Sequence, residues 1–506
     1  MRRLSYRPEV DGLRALAVLA VVFFHTNLRM PGGYVGVDIF FVISGFLITA
    51  LIAAELELGT FSLRNFWERR VRRIVPAATV TVATCLVAGY FLMLPSDFAD
   101  LGRSAVAQAL VAANFHFHAE AGYFSAPADA KPLLHFWTLA VEEQFYILFP
   151  FVLLLLYRWR KDRVVQGVAM IAAASFVVSV VGVYRFPSAT FYLLPTRAWE
   201  LSVGALLALR GSRLPLPEAS RGVAGWIGMA LMVIPFFFYH GEMPFPGLAA
   251  VPPCLGAMLV IWATDGGPSL LKRVLSLKPV VFVGLISYSL YLWHWPVKVF
   301  SHYWFTGIYS PPVMRMLVVV VSFGLAWLSW KYVETPFRSK RGPVRIRPLM
   351  TGAVAATMIT LVAGMFISRR GGLPDRFTPA IVRYDAAYED RPDKAEADLT
   401  IEAAESGELP TLHDTDVQGR PFCCGAIVMQ GWCPRQLKQC VGSLALKAIV
   451  RVGQRRRRFW RGVNPITADI MRPFSAGWRI VALMWWCSLP VGRRYCSCLR
   501  TRKVYS

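Results

Sequence analysis

An arginine and a histidine interrupt the first apolar segment of this sequence. Arg14 and His25 stand eleven residues apart, and at ~100° per residue this predicts both side chains on one helix face, roughly 16 Å apart along the axis. Ionisable groups inside a bilayer are costly and usually mark a pathway or a reaction site. Histidine suits a general base or a transient acyl carrier, and arginine suits phosphate. A buried structural histidine is the alternative for His25, and Arg14 on the same face favours a catalytic pair.

Four arginines follow within five residues. Arg69 pairs with Arg72, and Arg70 with Arg73, at a spacing that places each pair on one helix face. One interpretation is a positively charged anchor at the cytoplasmic membrane surface. The other is a site for a polyanion such as the phosphates of coenzyme A, and we predict these four residues as its ligands.

Two adjacent carboxylates, Glu142 and Glu143, begin a further apolar segment. Neighbouring helical positions point ~100° apart, so these two side chains cannot share one role. We predict that both are catalytic, one orienting His135 or His25 while the other faces solvent.

Further polar and aromatic residues fit a sugar substrate. Arg197 and Glu200 have the spacing of a helical ion pair, which is either structural or one edge of a sugar site. The aromatic segment Tyr288–Pro296 is either an interfacial belt or a surface for sugar rings. The predicted substrate-binding set is His135, Trp137, Arg197, Glu200, Tyr288, Trp293 and His294.

The composition predicts an all-α polytopic membrane protein. The chain has 506 residues, of which 55% are hydrophobic and 17% charged, and its mean hydropathy is +0.45. About eleven apolar segments are long enough to cross a bilayer. We predict a transmembrane domain over 1–368, an acidic extracytoplasmic linker over 369–422, and a basic, Cys/Arg-rich tail over 423–506 that is not a folded domain.

Basic residues concentrate in alternate loops. This bias predicts that the N-terminus lies in the cytoplasm and that the C-terminal tail lies outside. The net charge of +24 comes largely from the tail, which holds sixteen Lys and Arg against one acid, Asp469. We therefore predict a multi-pass membrane protein that contacts membrane lipid and has no nucleic-acid partner.

The tail differs in character from the rest of the chain. It holds seven of the nine cysteines but no Cys-x-x-Cys pair and no histidine, so we predict no metal site. A one-nucleotide shift near Phe422 permits a string containing Gly-Asp-Ser-His, which resembles the nucleophile block of SGNH hydrolases. We therefore expect that a hydrolase-like outer domain was lost here by frameshift.

Seven motifs in order resemble the acyltransferase 3 family over roughly residues 5–370. They are Tyr6–Ala15, the Arg14/His25 pair, Gly36–Phe46, Arg69–Arg73, Glu142–Tyr146, Ile286–Pro296 and Tyr332–Arg338. The resemblance implies a bacterial inner-membrane enzyme that O-acylates envelope carbohydrates such as O-antigen, exopolysaccharide or peptidoglycan. It also implies acetyl-coenzyme A as the donor, held by the arginines, with His25 and Arg14 in the transfer step. The form of the family fused to an SGNH domain is the one that this chain resembles.

The expected function is therefore transfer of an acyl group, acetyl above all, from cytoplasmic acyl-coenzyme A to an envelope polysaccharide or lipid-linked sugar. Two alternatives stay open. A lipid-linked sugar flippase or transporter also carries intramembrane charges, although such proteins often have repeats or matched broken helices that this sequence lacks. An inactive remnant of a truncated acyltransferase is the second alternative, because the tail lacks the SGNH residues.

Overall fold

The architecture described below is that of a computed structural model, and all its regular elements are helical. It describes residues 6–121, 130–210, 218–265, 267–304, 312–338, 346–379, 381–383 and 385. The predicted acyltransferase region lies largely within these ranges. Most of the predicted linker, the whole tail and the expected frameshift lie outside the described residues.

The helices come in the following order along the chain. The first nine are α1 (Pro8–His25), α2 (Gly36–Glu57), α3 (Leu63–Leu92), α4 (Pro95–Ala109), α5 (Ala113–Ala119), α6 (Phe136–Arg160), α7 (Val164–Arg185), α8 (Pro187–Tyr192) and α9 (Leu194–Arg210). Then come α10 (Glu218–Phe238), α11 (Val251–Ala263), α12 (Leu270–Leu275), α13 (Lys278–Leu285), α14 (Ser287–Trp304), α15 (Pro312–Ser329), α16 (Thr335–Arg338) and α17 (Ile346–Arg369). A π-helical turn, Trp330–Glu334, joins α15 to α16.

The predicted all-α polytopic membrane fold is confirmed. In the described ranges, six helical segments are long and apolar enough to cross a membrane, or seven if the bent pair α13–α14 counts as one span. One of the six, Phe136–Arg185, has 50 residues, about 75 Å of helix and enough for two crossings of a ~30 Å core. The shorter α9 and α11, with 17 and 13 residues, do not qualify by length. The number eleven therefore stays a prediction.

Local sequence signals explain where several helices begin. Proline occupies the first turn of α1, α4, α11 and α13, where its missing N–H costs nothing. The Ser62 side chain accepts from the amide of Asn65 at the start of α3, and Ser269 does the same for Lys272 at α12. These caps satisfy helix-end donors at the edges of the bundle.

Two glycines bring α2 and α9 into backbone contact. A Cβ on Gly45 would overlap the carbonyl oxygen of Leu201, and a Cβ on Gly204 would overlap that of Val42. Small residues allow this close approach between membrane helices. The crossing fixes α2, which carries Asp38 and Ser44, against α9, which carries Arg197.

Helices α13 and α14 form one apolar unit that is bent by 65°. The break leaves Ile286 between the two helices. The first residues of α14 are buried, and the Tyr288 hydroxyl donates to the carbonyl of Ile74 on α3 at 2.9 Å. The N-terminus of α14 therefore begins inside the protein, beside α3.

Replacing Gly45 with leucine should destabilise the protein by at least about 1–3 kcal/mol, because the side chain must separate two packed backbones. Gly324→Leu on α15 is the matched control, since a Cβ at Gly324 meets nothing within 4 Å. Thermal unfolding of both variants in detergent measures the difference. Equal midpoints would contradict the tight α2–α9 crossing.

Candidate functional site

A cavity lies between α1, α2, α3, α6 and α14. Its empty volume is about 820 Å³ when its open mouth is counted. Three guanidinium groups line one part, which we call the arginine end (Arg14, Arg70 and Arg73). Glu142 and Glu143 of α6, together with Tyr288 of α14, line it as well. The structure thus brings six of the predicted site residues to one cavity.

The four predicted phosphate ligands divide into two classes. Arg70 and Arg73 line the cavity, and neither makes an ion pair within the described part of the chain. Arg69 instead pairs with Glu55 at 3.0 Å. Arg72 pairs with Glu68 at 2.9 Å and is 3% exposed. The pair Arg70/Arg73 is therefore the one available to a ligand in the cavity.

Glu142 is held by hydroxyl groups. It accepts hydrogen bonds from Ser44 of α2 and from Tyr146 one turn further along α6. In the described part of the chain neither Glu142 nor Glu143 contacts His135 or His25; His25 Nδ1 lies against His294, and both carboxylates line the cavity. A catalytic role for the two carboxylates stays a prediction. Glu142 lies seven residues beyond His135, about 10 Å along the helix axis.

Three histidines from three parts of the chain meet at the far end of α1. His25 Nδ1 lies 3.1 Å from His294 Nε2, and the His135 ring packs against His294 with centroids 5.8 Å apart. The Trp295 ring covers His25 at 4.7 Å. Both His135 ring nitrogens are buried without a recorded hydrogen-bond partner. We call these residues the histidine cluster (His25, His135 and His294).

The partners of His294 determine which nitrogens carry protons. His294 Nδ1 lies 2.7 Å from the carbonyl oxygen of Tyr291, and a carbonyl can only accept, so this nitrogen is the donor. In a neutral ring Nε2 then accepts, and the donor to it must be His25 Nδ1. Neutral His25 therefore has an unprotonated Nε2, the state that a general base or an acyl-accepting nitrogen requires.

Tyr291 connects the cavity to the histidine cluster. It lines the cavity, and its ring centroid lies 5.4 Å from that of His294. Its hydroxyl lies 2.6 Å from the Thr138 hydroxyl and 3.2 Å from the His135 carbonyl. A continuous set of side chains therefore leads from the arginine end to His25.

Arg197 and Glu200 form the ion pair that their spacing indicated, and they lie apart from the cavity. Arg197 Nη1 is 2.7 Å from Glu200 and 2.8 Å from Asp38, with all three side chains at most 1% exposed. Trp137 packs on the guanidinium at 5.5 Å. This arrangement matches the first interpretation, that of a structural ion pair. A sugar-binding role for these residues stays a prediction.

Several residues of the site were not singled out from the sequence. Asp38, Ser44 and Tyr291 contact the predicted residues directly. All three occur in motifs that had been noted for the resemblance, but nothing in their spacing indicated their partners. Trp293, which had been predicted to bind substrate, packs in the apolar core with its indole N–H unpartnered.

Comparison with known proteins assigns the family. The family model Acyl_transf_3, described as an acyltransferase domain, matches residues 7–331. The chain belongs to this acyltransferase family. The matched region holds every predicted site residue, from Arg14 to His294.

Curated relatives of this family member cover the same region. Peptidoglycan O-acetyltransferase OatA of Listeria monocytogenes is 35% identical over 355 residues, 66% of this chain and 56% of the relative. O-acetyltransferase OatA of Staphylococcus aureus is 32% identical over 350 residues, 66% of this chain and 58% of the relative. The chain thus spans little more than half the length of these relatives. No solved structure matches this acyltransferase.

Replacing Arg197 with leucine should cost about 3–5 kcal/mol of stability, because two carboxylates stay buried without their cation. Asp38→Asn keeps the Arg197–Glu200 pair and should cost only about 1 kcal/mol. Denaturant unfolding in mixed micelles compares the two. Equal stabilities with a selective loss of sugar binding would instead make Arg197 a substrate ligand.

Proposed function

We propose that this chain transfers an acyl group, acetyl above all, from cytoplasmic acyl-coenzyme A to a hydroxyl group of an envelope carbohydrate. The observation that carries the proposal is a cavity whose lining joins three arginines to Tyr291, beside the His25–His294 pair. Family membership supports acyl transfer as the chemistry. The name of the Listeria relative favours peptidoglycan among the possible acceptors.

The arginine end suits the phosphates of the donor. Arg14, Arg70 and Arg73 line one cavity, and of these Arg14 has a carboxylate partner, Asp11, at 3.1 Å. Cations that share a low-dielectric site repel one another, and a bound polyanion relieves that repulsion through charge-assisted hydrogen bonds. Arg69 and Arg72, held by Glu55 and Glu68, position α3 so that the other two face the donor.

The histidine cluster suits the transfer step. The unprotonated Nε2 of His25 accepts the proton of the acceptor hydroxyl, or carries the acyl group before the hydroxyl arrives. The acceptor oxygen gains the acyl carbon, the carbon–sulfur bond breaks, and the thiolate leaves and takes up a proton. Aromatic rings run on from His25 through Phe24 and Tyr34 to Phe245, with successive centroids 4.9 to 5.3 Å apart. Such a row suits the apolar faces of sugars.

We further propose that the arginine end faces the cytoplasm, in a multi-pass protein of the inner membrane with its C-terminus in the periplasm. The loop bias in Lys and Arg supports this orientation. In fused members of the family the outer domain is thought to complete delivery to the sugar. The described region accordingly performs donor binding and acyl transfer through the bundle.

A transporter or sugar flippase is the second candidate, and the broken helix α13–α14 favours it. No matching broken pair occurs elsewhere in the residues that the structure describes. Protein in liposomes, given labelled acetyl-coenzyme A outside or inside, separates the candidates. Release of coenzyme A supports the enzyme, and sugar movement without coenzyme A supports the flippase. If neither activity is observed, the result supports an inactive remnant.

His25→Ala should lower coenzyme A release by at least about 100-fold, because it removes the nitrogen that moves the proton or carries the acyl group. His302→Ala is the control, since His302 is exposed on α14, two turns from His294. Release of free thiol by the purified variants measures both. Wild-type turnover in His25→Ala would eliminate the assigned role.

Arg70→Ala and Arg73→Ala should each raise the KM for acetyl-coenzyme A about tenfold or more, because each variant loses a charge-assisted hydrogen bond to the donor and its binding free energy. The KM for S-acetylpantetheine, which has no phosphate for the arginines to bind, should stay within about twofold. Arg64→Ala is the control for the loss of one positive charge, since Arg64 is exposed on the same helix. If both donors weakened equally, phosphate binding at the arginine end would be refuted.

A further inference from the structure

The buried start of α14 offers hydrogen-bond donors to the same cavity. We infer that this helix N-terminus and the Ser287 hydroxyl bind the amide groups in the arm of the acyl donor, between the arginine end and the histidine cluster. The inference rests on the proposed function for the identity of the donor. It adds Ser287 as a positioning residue that holds the arm and does not touch the reacting thioester.

The first turn of α14 has amide donors that meet no backbone acceptor within the described residues. The first bond of the helix runs from the Leu290 amide to the Ile286 carbonyl at 2.8 Å, so the amides of residues 287–289 precede the repeating pattern. Ser287 is 0% exposed. Its hydroxyl has no hydrogen-bond partner in the described part of the chain, and the residue lines the cavity.

A neighbouring serine shows how such a group is normally satisfied. Ser289 is equally buried, and its hydroxyl donates to Glu334 at 3.1 Å. Leaving a buried hydroxyl unpaired costs about 1–3 kcal/mol. The positive end of the α14 dipole lies at the same point, and it favours an oxygen acceptor. A ligand oxygen in the cavity would accept a hydrogen bond from the Ser287 hydroxyl and would also interact favourably with the positive end of the α14 dipole.

The charges of the cavity select an uncharged amide. Glu142 and Glu143 line the same cavity as Ser287, and away from the three arginines they would repel a phosphate. A secondary amide has both an N–H donor and a carbonyl acceptor. The carboxylates can accept from that N–H while Ser287 donates to the carbonyl, so the lining matches both groups of an amide.

The position of Ser287 between the arginine end and the histidine cluster also fits the length of the coenzyme A arm. Arg14 and His25 lie roughly 16 Å apart along α1, and Ser287 precedes His294 by about 10 Å along α14. The arm of coenzyme A has two amides between its phosphate and its sulfur, and it extends to about 15 Å at 3.3–3.6 Å for every three bonds. With the phosphate at the arginine end, an amide lies beside the first turn of α14.

Ser287→Ala tests the inference with three donors. The KM for acetyl-coenzyme A and for S-acetylpantetheine should rise about two- to tenfold, because the variant loses the binding free energy of one hydrogen bond. The KM for S-ethyl thioacetate, which has no amide, should not change, and kcat should be kept for all three. Ser287→Thr, which retains a hydroxyl, should restore the KM.

The matched control is Ser179→Ala. Ser179 is also 0% exposed, and its hydroxyl likewise has no partner among the described residues, but it lies on α7 and does not line the cavity. Its KM values should equal those of the wild type. An unchanged KM for S-acetylpantetheine in Ser287→Ala, or an equal rise for S-ethyl thioacetate, would overturn the inference.

Direct binding of pantetheine, measured by titration calorimetry, separates this inference from the proposed function. If the wild type binds pantetheine more tightly than Ser287→Ala and yet releases no thiol from any donor, the site stands and the transferase function falls. If the wild type does not bind pantetheine, the inference is wrong whatever the turnover.

Discussion

Pairing of buried charge is the constraint on which this bundle depends. The Arg197 guanidinium is 1% exposed and lies between Asp38 of α2 and Glu200 of α9. An ion of this kind is tolerated in an apolar interior only when its partners satisfy it. The Gly45/Gly204 crossing allows the approach that the pair requires. Since α2 also carries Ser44, which donates to Glu142 on α6, this interaction indirectly sets one wall of the cavity.

Buried polar atoms without a hydrogen-bond partner occur at several places in the part of the chain that the structure describes. At the Arg197 cluster, one oxygen of Asp38 and one of Glu200 accept from the guanidinium, while Asp38 Oδ2 and Glu200 Oε2 lack partners. The Arg70 Nε and the Ser287 hydroxyl also lack partners, and these two residues line the cavity. Such atoms reduce stability, and the fold gains nothing from them alone. At the cavity a bound ligand can supply the missing partner, because both residues border its open volume.

Hydropathy was sufficient to predict the fold class, because helices are the solution when a bilayer cannot satisfy backbone groups. Spacing along one helix predicted the Arg197–Glu200 pair and the two arginine pairs. It could not identify Asp38, which lies 159 positions from Arg197, or His294 as the partner of His25. Nor could it show which arginine pair faces the cavity, because that depends on the rotation of α3 in the bundle. Nor could it identify Ser44 as a partner of Glu142, since the two lie 98 positions apart.

The rigidity of α1 ties the two ends of the site together. Eleven residues of helix fix Arg14 and His25 roughly 16 Å apart, so neither can approach the other without unfolding α1. A polyanionic donor cannot move its phosphates through an apolar bundle past Glu142 and Glu143. Under the proposed function the phosphates stay at the arginine end, and the uncharged arm and its acyl group span the remaining distance. The donor's own covalent length then carries the acyl group to His25, and a large helix movement is unnecessary.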